Sequence, residues 1–267
     1  MRSFAFHRPT TLYEMSALLG GVADSMPLAG GMTLLPTIKQ RLATPAALID
    51  LSKIPQLSVI SAQGDILTVG AMTRHVDVAE SELVRSKIPL LAGLAAGIGD
   101  PAVRNRGTIG GSVANNDPSA DYPAAVLALD ATVVTDRREI AADAYFRGLF
   151  ETALDPGEII TALRFPVPSA GAMPNSNRRH HAMRWSACVS AKQAGKVRVA
   201  VTGAGPGVFR VAAMEAALER AFTPDAVAGI KLDAENLSSD IHADAEYRAH
   251  LVTVMAKKAV MSALQTS

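Results

Sequence analysis

Two paired-glycine segments set the organisation of this chain: Ala29-Gly30-Gly31-Met32-Thr33 and Thr108-Ile109-Gly110-Gly111-Ser112. Each places a hydroxyl residue beside its glycines. Glycine adopts positive φ and lets a ligand approach the backbone, and successive free N–H groups in such a turn bind anions. A single glycine pair is more often an ordinary turn, but two such segments predict a diphosphate held from both sides, and therefore a dinucleotide cofactor.

The residues around the second segment resemble a known family. Residues 99–123 read GDPAVRNRGTIGGSVANNDPSADYP. This run resembles the FAD-binding medium subunit of the molybdenum hydroxylases, especially the carbon monoxide dehydrogenase type. The first glycine segment is similar to the other FAD loop of that family. Residues 48–52, 69–73, 239–242 and 245–248 are similar to it as well, so that the resemblance covers nearly the whole chain.

The resemblance implies a set of cofactor-binding residues. Residues 29–33 and 108–112 would bind the FAD diphosphate, mostly through main-chain donors. Asp121 would lie near the cofactor as a hydrogen-bond acceptor for the ribose or the flavin. An alternative for Asp121 is a helix N-terminal residue favoured by the helix dipole. No side chain is expected to be catalytic, because the flavin itself carries the redox chemistry.

The resemblance also implies partners. A large subunit would hold a molybdopterin–Mo centre, a small subunit would hold two [2Fe–2S] clusters, and the FAD of this chain would pass electrons to a quinone, NAD or oxygen. Carbon monoxide is the first expectation for the substrate of the complex. Xanthine, aldehyde or N-heterocycle oxidation and a flavin-free scaffolding subunit remain as alternatives.

Composition and charge exclude several other functions. The chain has 267 residues and a formal net charge of +1 without a basic stripe, which argues against nucleic-acid binding. Its charged N-terminus and the lack of a long apolar run predict a cytoplasmic protein without a membrane span. The single cysteine, Cys188, cannot hold an iron–sulfur cluster, which needs several thiolates. Adjacent His180 and His181 would point apart on a strand, so no metal site is expected.

The pattern of helices and strands predicts an α+β fold. An FAD-binding domain over residues 1–168, in two parts (1–55 and 56–168), would precede a C-terminal flavoprotein domain of antiparallel sheet and helices over 175–267. Asp117 is expected to cap a helix over 118–129. Breakers at Pro166, Pro168 and Pro174 mark the boundary. Helices are further predicted over 10–19, 34–42, 76–81, 89–98, 211–221 and 243–264, and strands over 27–29, 47–51, 57–61, 66–71, 131–135, 158–165 and 196–202.

The resemblance fails over residues 173–190. Family members carry there a Lys-Phe segment and an apolar strand similar to Arg-Tyr-Ala-Met-Val-Gly-Val, whereas this chain has a basic cluster with its only Trp and its only Cys. A one-base shift of codons for that strand translates as Ala-Met-Arg-Trp-Ser-Ala-Cys, which is the sequence of residues 182–188. Two hypotheses remain open, a local frameshift and a divergent loop without strand periodicity.

Overall fold

The computed structural model describes residues 2–172, 186–191 and 196–266. The chain begins with a three-stranded parallel sheet, in which the third strand lies between the first and the second. A helix connects each strand to the next one along the chain. The first helix starts where the Thr11 hydroxyl accepts a hydrogen bond from the Glu14 N–H, as in an N-cap. The elements are β1 (Ala5–His7), α1 (Leu12–Gly21), β2 (Ser25–Leu28), α2 (Leu34–Lys39) and β3 (Ala47–Asp50).

The second unit is a five-stranded antiparallel sheet covered by short helices. Two 3-10 turns, Leu51–Lys53 and Pro55–Ser58, connect it to the first unit. Its elements are β4 (Ile60–Gln63), β5 (Ile66–Gly70), α3 (His75–Glu80), α4 (Glu82–Lys87), α5 (Pro89–Gly97), α6 (Pro101–Arg106), α7 (Ile109–Asn115), α8 (Tyr122–Ala128), β6 (Thr132–Thr135), β7 (Glu139–Ala141), α9 (Ala142–Tyr145), β8 (Phe146–Gly148), β9 (Glu151–Thr152) and β10 (Ile160–Pro166).

The strand order of this sheet is β4-β5-β10-β6-β7, so that β10 lies in the middle. Strands β8 and β9 form a separate hairpin. The side chains of β5, β6 and β10 that face the helices are apolar and buried, and they form one core with α3, α5, α7 and α8. Burial of this core is the main driving force for folding of the unit.

The C-terminal unit is a four-stranded antiparallel sheet with helices packed on one face. Strand β13 lies between β12 and β14 and contacts α8 of the preceding unit. The long helix α12 buries one face against this sheet. The elements are β11 (Ala170–Ala172), β12 (Ser186–Ala191), β13 (Val197–Thr202), β14 (Phe209–Arg210), α10 (Ala212–Arg220), α11 (Pro224–Ala228) and α12 (Ala245–Thr266).

The α+β class is confirmed, with antiparallel sheets and helices after a small βαβ-like start. The strand predicted over 57–61 starts only at Ile60, because Pro55 begins a 3-10 turn instead. The helix predicted over 34–42 ends at Lys39, since Arg41 has a φ of +65°. Helix α8 begins at Tyr122 rather than at residue 118. The Asp117 carboxylate therefore caps a turn, accepting from the Ser119 N–H at 2.8 Å.

The region where the resemblance fails is partly covered. Residues 173–185 lie outside the described residues. They include most of the segment that the frameshift hypothesis concerns. The sequence showed no strand periodicity up to Cys188, and the expectation of no strand is wrong for residues 186–188, which begin the strand Ser186–Ala191. That backbone forms β12 and pairs with β13 from Ser186 opposite Thr202 to Ala191 opposite Val197. Regular pairing to a neighbouring strand overrides the weak local pattern.

Candidate functional site

A cleft of about 600 Å³ lies where the two glycine segments meet. Apolar side chains, including Leu51, Met72 and Ile160, form part of its lining, and residues 117, 119 and 120 form another part. Among the predicted binding residues, Ile109 is buried in the core and Asp121 is nearly buried, and both lie outside the lining. The predicted residues that line the cleft are Ala29, Gly30, Gly31, Met32, Thr33, Thr108, Gly110, Gly111 and Ser112.

The first glycine segment is an open loop between β2 and α2. Gly31 has a φ of +73°, in the left-handed region that favours glycine. No acceptor among the described residues receives a hydrogen bond from the N–H groups of Gly30, Gly31, Met32 or Thr33. Residues 30–33 line the cleft, so that their N–H groups are available to a ligand, as in an anion-binding turn.

The second glycine segment is the first turn of a helix and not a loop. Thr108 is the N-cap of α7, and its hydroxyl oxygen accepts from the Gly111 N–H at 3.1 Å. The Ile109 N–H donates to the Thr73 carbonyl at 3.0 Å, and the Gly110 N–H donates to the Ala71 carbonyl at 2.9 Å. The free N–H groups predicted here are therefore already used, because α7 starts directly against the end of β5. This segment offers the cleft hydroxyl groups and a flat backbone surface instead.

The glycines also bring the two segments into contact. A Cβ on Gly30 would lie 2.8 Å from the Cα of Gly107 and would overlap the Arg106 carbonyl group. A Cβ on Gly111 would lie 2.9 Å from the Thr108 hydroxyl and 3.3 Å from the Cβ of Ala29. Both distances are shorter than ordinary van der Waals contacts. The absence of a side chain at these two positions lets the first segment pack closely against residues 106–111.

His75 is a residue of this cleft that the sequence reasoning missed. It is 4 % exposed and lines the cleft, and its main-chain N–H donates to the Gly107 carbonyl at 3.0 Å. Its ring packs against the ring of Tyr122, with 5.3 Å between the centroids. Burial, with a smaller effect of the positive charge of Arg104, lowers the pKa of His75 to about 4, so that the imidazole is neutral at pH 7. The only signal in the sequence is its place two residues after the stretch 69–73.

Asp121 occupies the N-cap position of α8, without a side-chain capping hydrogen bond. Its negative charge contributes to the raised pKa of Tyr122, after the larger effect of burial. Its position at a helix N-terminus agrees with the alternative explanation for this residue. A role of Asp121 beside the cofactor stays a prediction.

Within the described residues, no group of His, Cys, Asp and Glu side chains is arranged to hold a metal ion. In the same part of the chain, no helix has both the length and the apolar character needed to cross a bilayer. The cleft combines open main-chain donors, hydroxyl groups of Thr33, Thr108 and Ser112, and apolar side chains. This combination suits an elongated ligand with an anionic centre and a flat apolar end.

Comparison with known proteins identifies the same ligand class. Residues 2–168 match the model of the FAD binding domain in molybdopterin dehydrogenase, and residues 177–263 match that of the CO dehydrogenase flavoprotein C-terminal domain. The carbon monoxide dehydrogenase medium chain of Hydrogenophaga pseudoflava is 35% identical over 277 residues, which cover 97% of this chain and 96% of that one.

Two further relatives extend this comparison. The nicotine 6-hydroxylase medium subunit of Paenarthrobacter nicotinovorans is also 35% identical, over 269 residues that cover 96% of this chain and 95% of that one. The solved structure of carbon monoxide dehydrogenase from Hydrogenophaga pseudoflava, which lacks the Mo-pyranopterin moiety, superimposes with a TM-score of 0.88 at 34% identity. That superposition covers 99% of this chain and 98% of that one.

The residues of the cleft, considered by themselves, fit FAD. The open N–H groups of residues 30–33 suit a diphosphate, and the glycines leave room for it against the backbone. The chain belongs to the family of FAD-binding medium subunits of molybdenum hydroxylases and is a subunit of an oxidoreductase complex.

Proposed function

We propose that this chain binds FAD in the cleft between its two glycine segments and serves as the electron exit of a molybdenum hydroxylase, of the aerobic carbon monoxide dehydrogenase type. The observation that carries the proposal is that the N–H groups of residues 30–33 have no acceptor among the described residues, and that these residues line one cleft together with the second glycine segment. Bound FAD would accept electrons and release them to a quinone, NAD or oxygen.

The two segments have different tasks in this proposal. The N–H groups of Gly30 to Thr33 bind the diphosphate, because several aligned donors stabilise an anion better than one. Gly110 and Gly111 let the cofactor lie against the start of α7, and the hydroxyls of Thr108 and Ser112 donate to it. The apolar side chains of the cleft exclude water from the flavin.

The partner subunits are proposed from the chemistry that this chain lacks. Iron–sulfur clusters are held by several cysteines, whereas this sequence contains only Cys188. The clusters that deliver electrons must then lie on a small subunit, and the molybdenum centre that oxidises the substrate on a large one. Both assignments agree with the relatives, which are medium chains or subunits of such complexes.

A second candidate function is the same electron transfer in an N-heterocycle hydroxylase. The nicotine 6-hydroxylase medium subunit is as similar as the carbon monoxide dehydrogenase medium chain, at 35% identity. The substrate would bind to the large subunit, so that residues of that subunit distinguish the two candidates. Purification of the native complex, followed by assays with carbon monoxide, nicotine and xanthine, decides between them.

The FAD proposal is tested by flavin uptake of the full-length chain. We expect the wild-type protein to bind FAD and to show flavin absorbance bands. The Gly111→Val variant should lose most of the flavin, because its side chain would enter the space beside Thr108 and Ala29. Gly93→Val is the matched control, since a Cβ on Gly93 in α5 meets no atom within 4 Å. A folded Gly111→Val protein with full flavin occupancy would contradict this placement, and a wild-type chain that never binds FAD would favour the scaffolding alternative.

The electron-exit role is tested by the activity of the isolated chain. We expect no oxidation of carbon monoxide, nicotine or xanthine, because the metal centres are absent from this subunit. Weak turnover of NADH with a dye as acceptor is expected when FAD is bound. Oxidation of any of the three substrates by the isolated chain would contradict the proposed division of labour.

A further inference from the structure

The C-terminal unit is anchored to one wall of the cleft by the end of β13. The hydroxyl oxygen of Thr202 lies 2.9 Å from the Pro118 carbonyl oxygen and 2.8 Å from that of Ala120, and it donates its proton between them. The N–H of Gly203 donates to the same Pro118 carbonyl at 2.8 Å. Thr202 is fully buried. Two residues of the C-terminal unit thus bind carbonyl groups on both sides of Ser119, which lines the cleft together with Ala120.

The end of β13 is itself held by a buried arginine. Arg248 of α12 is 1 % exposed, and its Nη1 donates to the Gly203 carbonyl at 2.6 Å. Its Nη2 forms an ion pair with the Asp240 carboxylate at 2.8 Å. Gly203 has a φ of +81°, a conformation that residues with a side chain rarely adopt, so that the turn favours glycine at this position. Asp240 and Arg248 belong to the two C-terminal stretches, residues 239–242 and 245–248, for which the cleft gives no direct role.

A different set of contacts docks the C-terminal unit on the rest of the protein. Arg198 of β13 donates to the Leu127 carbonyl at 3.2 Å and forms ion pairs with Asp130 and, at 2.8 Å, with Asp143. These groups lie at the far end of α8 and on α9, away from residues 117–120. Docking of the C-terminal unit therefore has contacts besides those of Thr202, which binds the cleft wall at the Pro118 and Ala120 carbonyl groups.

We propose that Thr202, Arg248 and Asp240 are positioning residues for the cofactor: through Gly203 and Pro118 they fix the cleft wall formed by residues 117–120, so that the C-terminal unit sets the affinity for FAD. This inference rests on the proposed function, because it assumes that FAD occupies the cleft. Within the wall, the Asp117 carboxylate accepts from the Ser119 N–H and the Asp117 carbonyl accepts from the Ala120 N–H at 2.9 Å. Those bonds shape the turn, and Thr202 and Gly203 fix its place.

The inference is tested with FAD titrations of the full-length protein, followed by the quenching of flavin fluorescence. We expect Thr202→Val to bind FAD about tenfold more weakly, since valine has the same shape but removes the hydroxyl donor from the Ala120 carbonyl and leaves the Pro118 carbonyl only the Gly203 N–H. Thr202→Ser keeps the hydroxyl and should restore the affinity to within about twofold. Thr253→Val is the matched control, because the Thr253 hydroxyl donates to the Ile230 carbonyl at 2.7 Å, within the C-terminal unit.

A second variant covers the case that Thr202→Val does not fold. Asp240→Asn keeps an oxygen for the His242 and Ala243 N–H groups but removes the charge opposite Arg248. We expect it to bind FAD about threefold more weakly than the wild type, a smaller loss than that of Thr202→Val. A thermal unfolding midpoint measured without FAD separates global stability from affinity in each variant.

The outcomes are distinct. A wild-type protein that takes up no FAD contradicts the proposed function and the inference with it. Wild-type affinity in Thr202→Val or Asp240→Asn, while the wild-type protein binds FAD, contradicts the inference alone. Equal losses of affinity in Thr202→Val and Thr253→Val would show a general effect of weakening the C-terminal unit and would contradict it too.

Discussion

The two glycine segments look alike in sequence and work differently in the structure. In the first, Gly31 adopts a φ of +73°, and the N–H groups of residues 30–33, which line the cleft, have no acceptor among the described residues. In the second, Thr108 caps α7, and the N–H groups of Gly110 and Gly111 are bonded to Ala71 and Thr108. One segment offers donors to a ligand, whereas the other offers a packed surface. Paired glycines therefore indicate that something lies close to the backbone, but they do not show whether it is a ligand or another part of the chain.

The contact between the segments gives the largest expected effect. Gly30→Ala would place a Cβ 2.7 Å from the Arg106 carbonyl carbon and 2.8 Å from the Gly107 Cα, and a backbone cannot move aside as a side chain can. We expect a loss of about 3 kcal/mol in the free energy of unfolding, measured with urea. Gly20→Ala near the end of α1 is the control, because its Cβ would meet no atom within 4 Å. Equal stability of the two variants would mean that the segments are not in contact.

The buried support of the second segment predicts acid sensitivity. His75, which binds the Gly107 carbonyl, has a native pKa of about 4, below its ordinary value of 6.5. Between these values the unfolded chain binds a proton that the folded chain does not, so that stability falls as the pH falls. We expect a slope approaching about 1.4 kcal/mol per pH unit, reduced in His75→Gln. The stabilities of the wild type and His75→Gln are compared from pH 6.5 to 4.5. Below that range, protonation of Glu158 also lowers the stability, because its pKa is lowered to about 2 in the folded protein, mainly by Arg138.

The left-handed conformation of the first segment predicts a smaller loss. Gly31→Ala and Gly64→Ala both place alanine at positive φ, +73° and +57°, and each should lose about 1 kcal/mol of unfolding free energy for that reason. Gly31→Ala should lose slightly more, because its Cβ would also lie 2.9 Å from the Leu35 Cδ1, whereas a Cβ on Gly64 meets no atom within 4 Å. Only Gly31→Ala should also weaken FAD binding, because it alters the direction of the cleft N–H groups. FAD titration of both variants checks this. Unchanged affinity in Gly31→Ala would mean that the first segment does not hold the diphosphate.

The cap of the second segment predicts the smallest effect. Thr108→Val removes the oxygen that accepts from the Gly111 N–H and should lower the free energy of unfolding by about 1 kcal/mol. Thr108→Ser keeps that oxygen and should unfold at the wild-type urea concentration. A Thr108→Val protein as stable as the wild type would mean that the first turn of α7 is not held by its cap.

Local sequence was sufficient to predict one part of this structure. Glycine pairs, breakers and apolar periodicity predicted the α+β class and the place where the two segments line a cleft. What could not be predicted depends on distant partners. The Gly110 N–H is occupied by a carbonyl at the end of β5, and His75 enters the cleft through its packing on Tyr122. No period or motif near either residue carries that information.

The same limit explains two errors in the site and the C-terminal unit. The segment 108–112 was expected to be a loop because of its glycines, but the Thr108 cap and the contact with Ala71 stabilise a helix start. Strand β12 was missed because its pairing with β13 decides its conformation. The link from Thr202 to Pro118 likewise joins parts of the chain that share no local pattern.

The central place of β10 in its sheet has a consequence for the order of folding. Strand β10 pairs with β5. Ala71, which follows β5, donates its N–H to the Thr161 carbonyl of β10 at 2.9 Å, and its own carbonyl accepts a hydrogen bond from the Gly110 N–H of α7. A chain made from its N-terminus therefore lacks the middle of this sheet until residue 166 has left the ribosome. Pairing across so long a loop is slow. We expect nascent chains that end before β10 to expose α7 to solvent and to capture FAD only after β10 has joined the sheet.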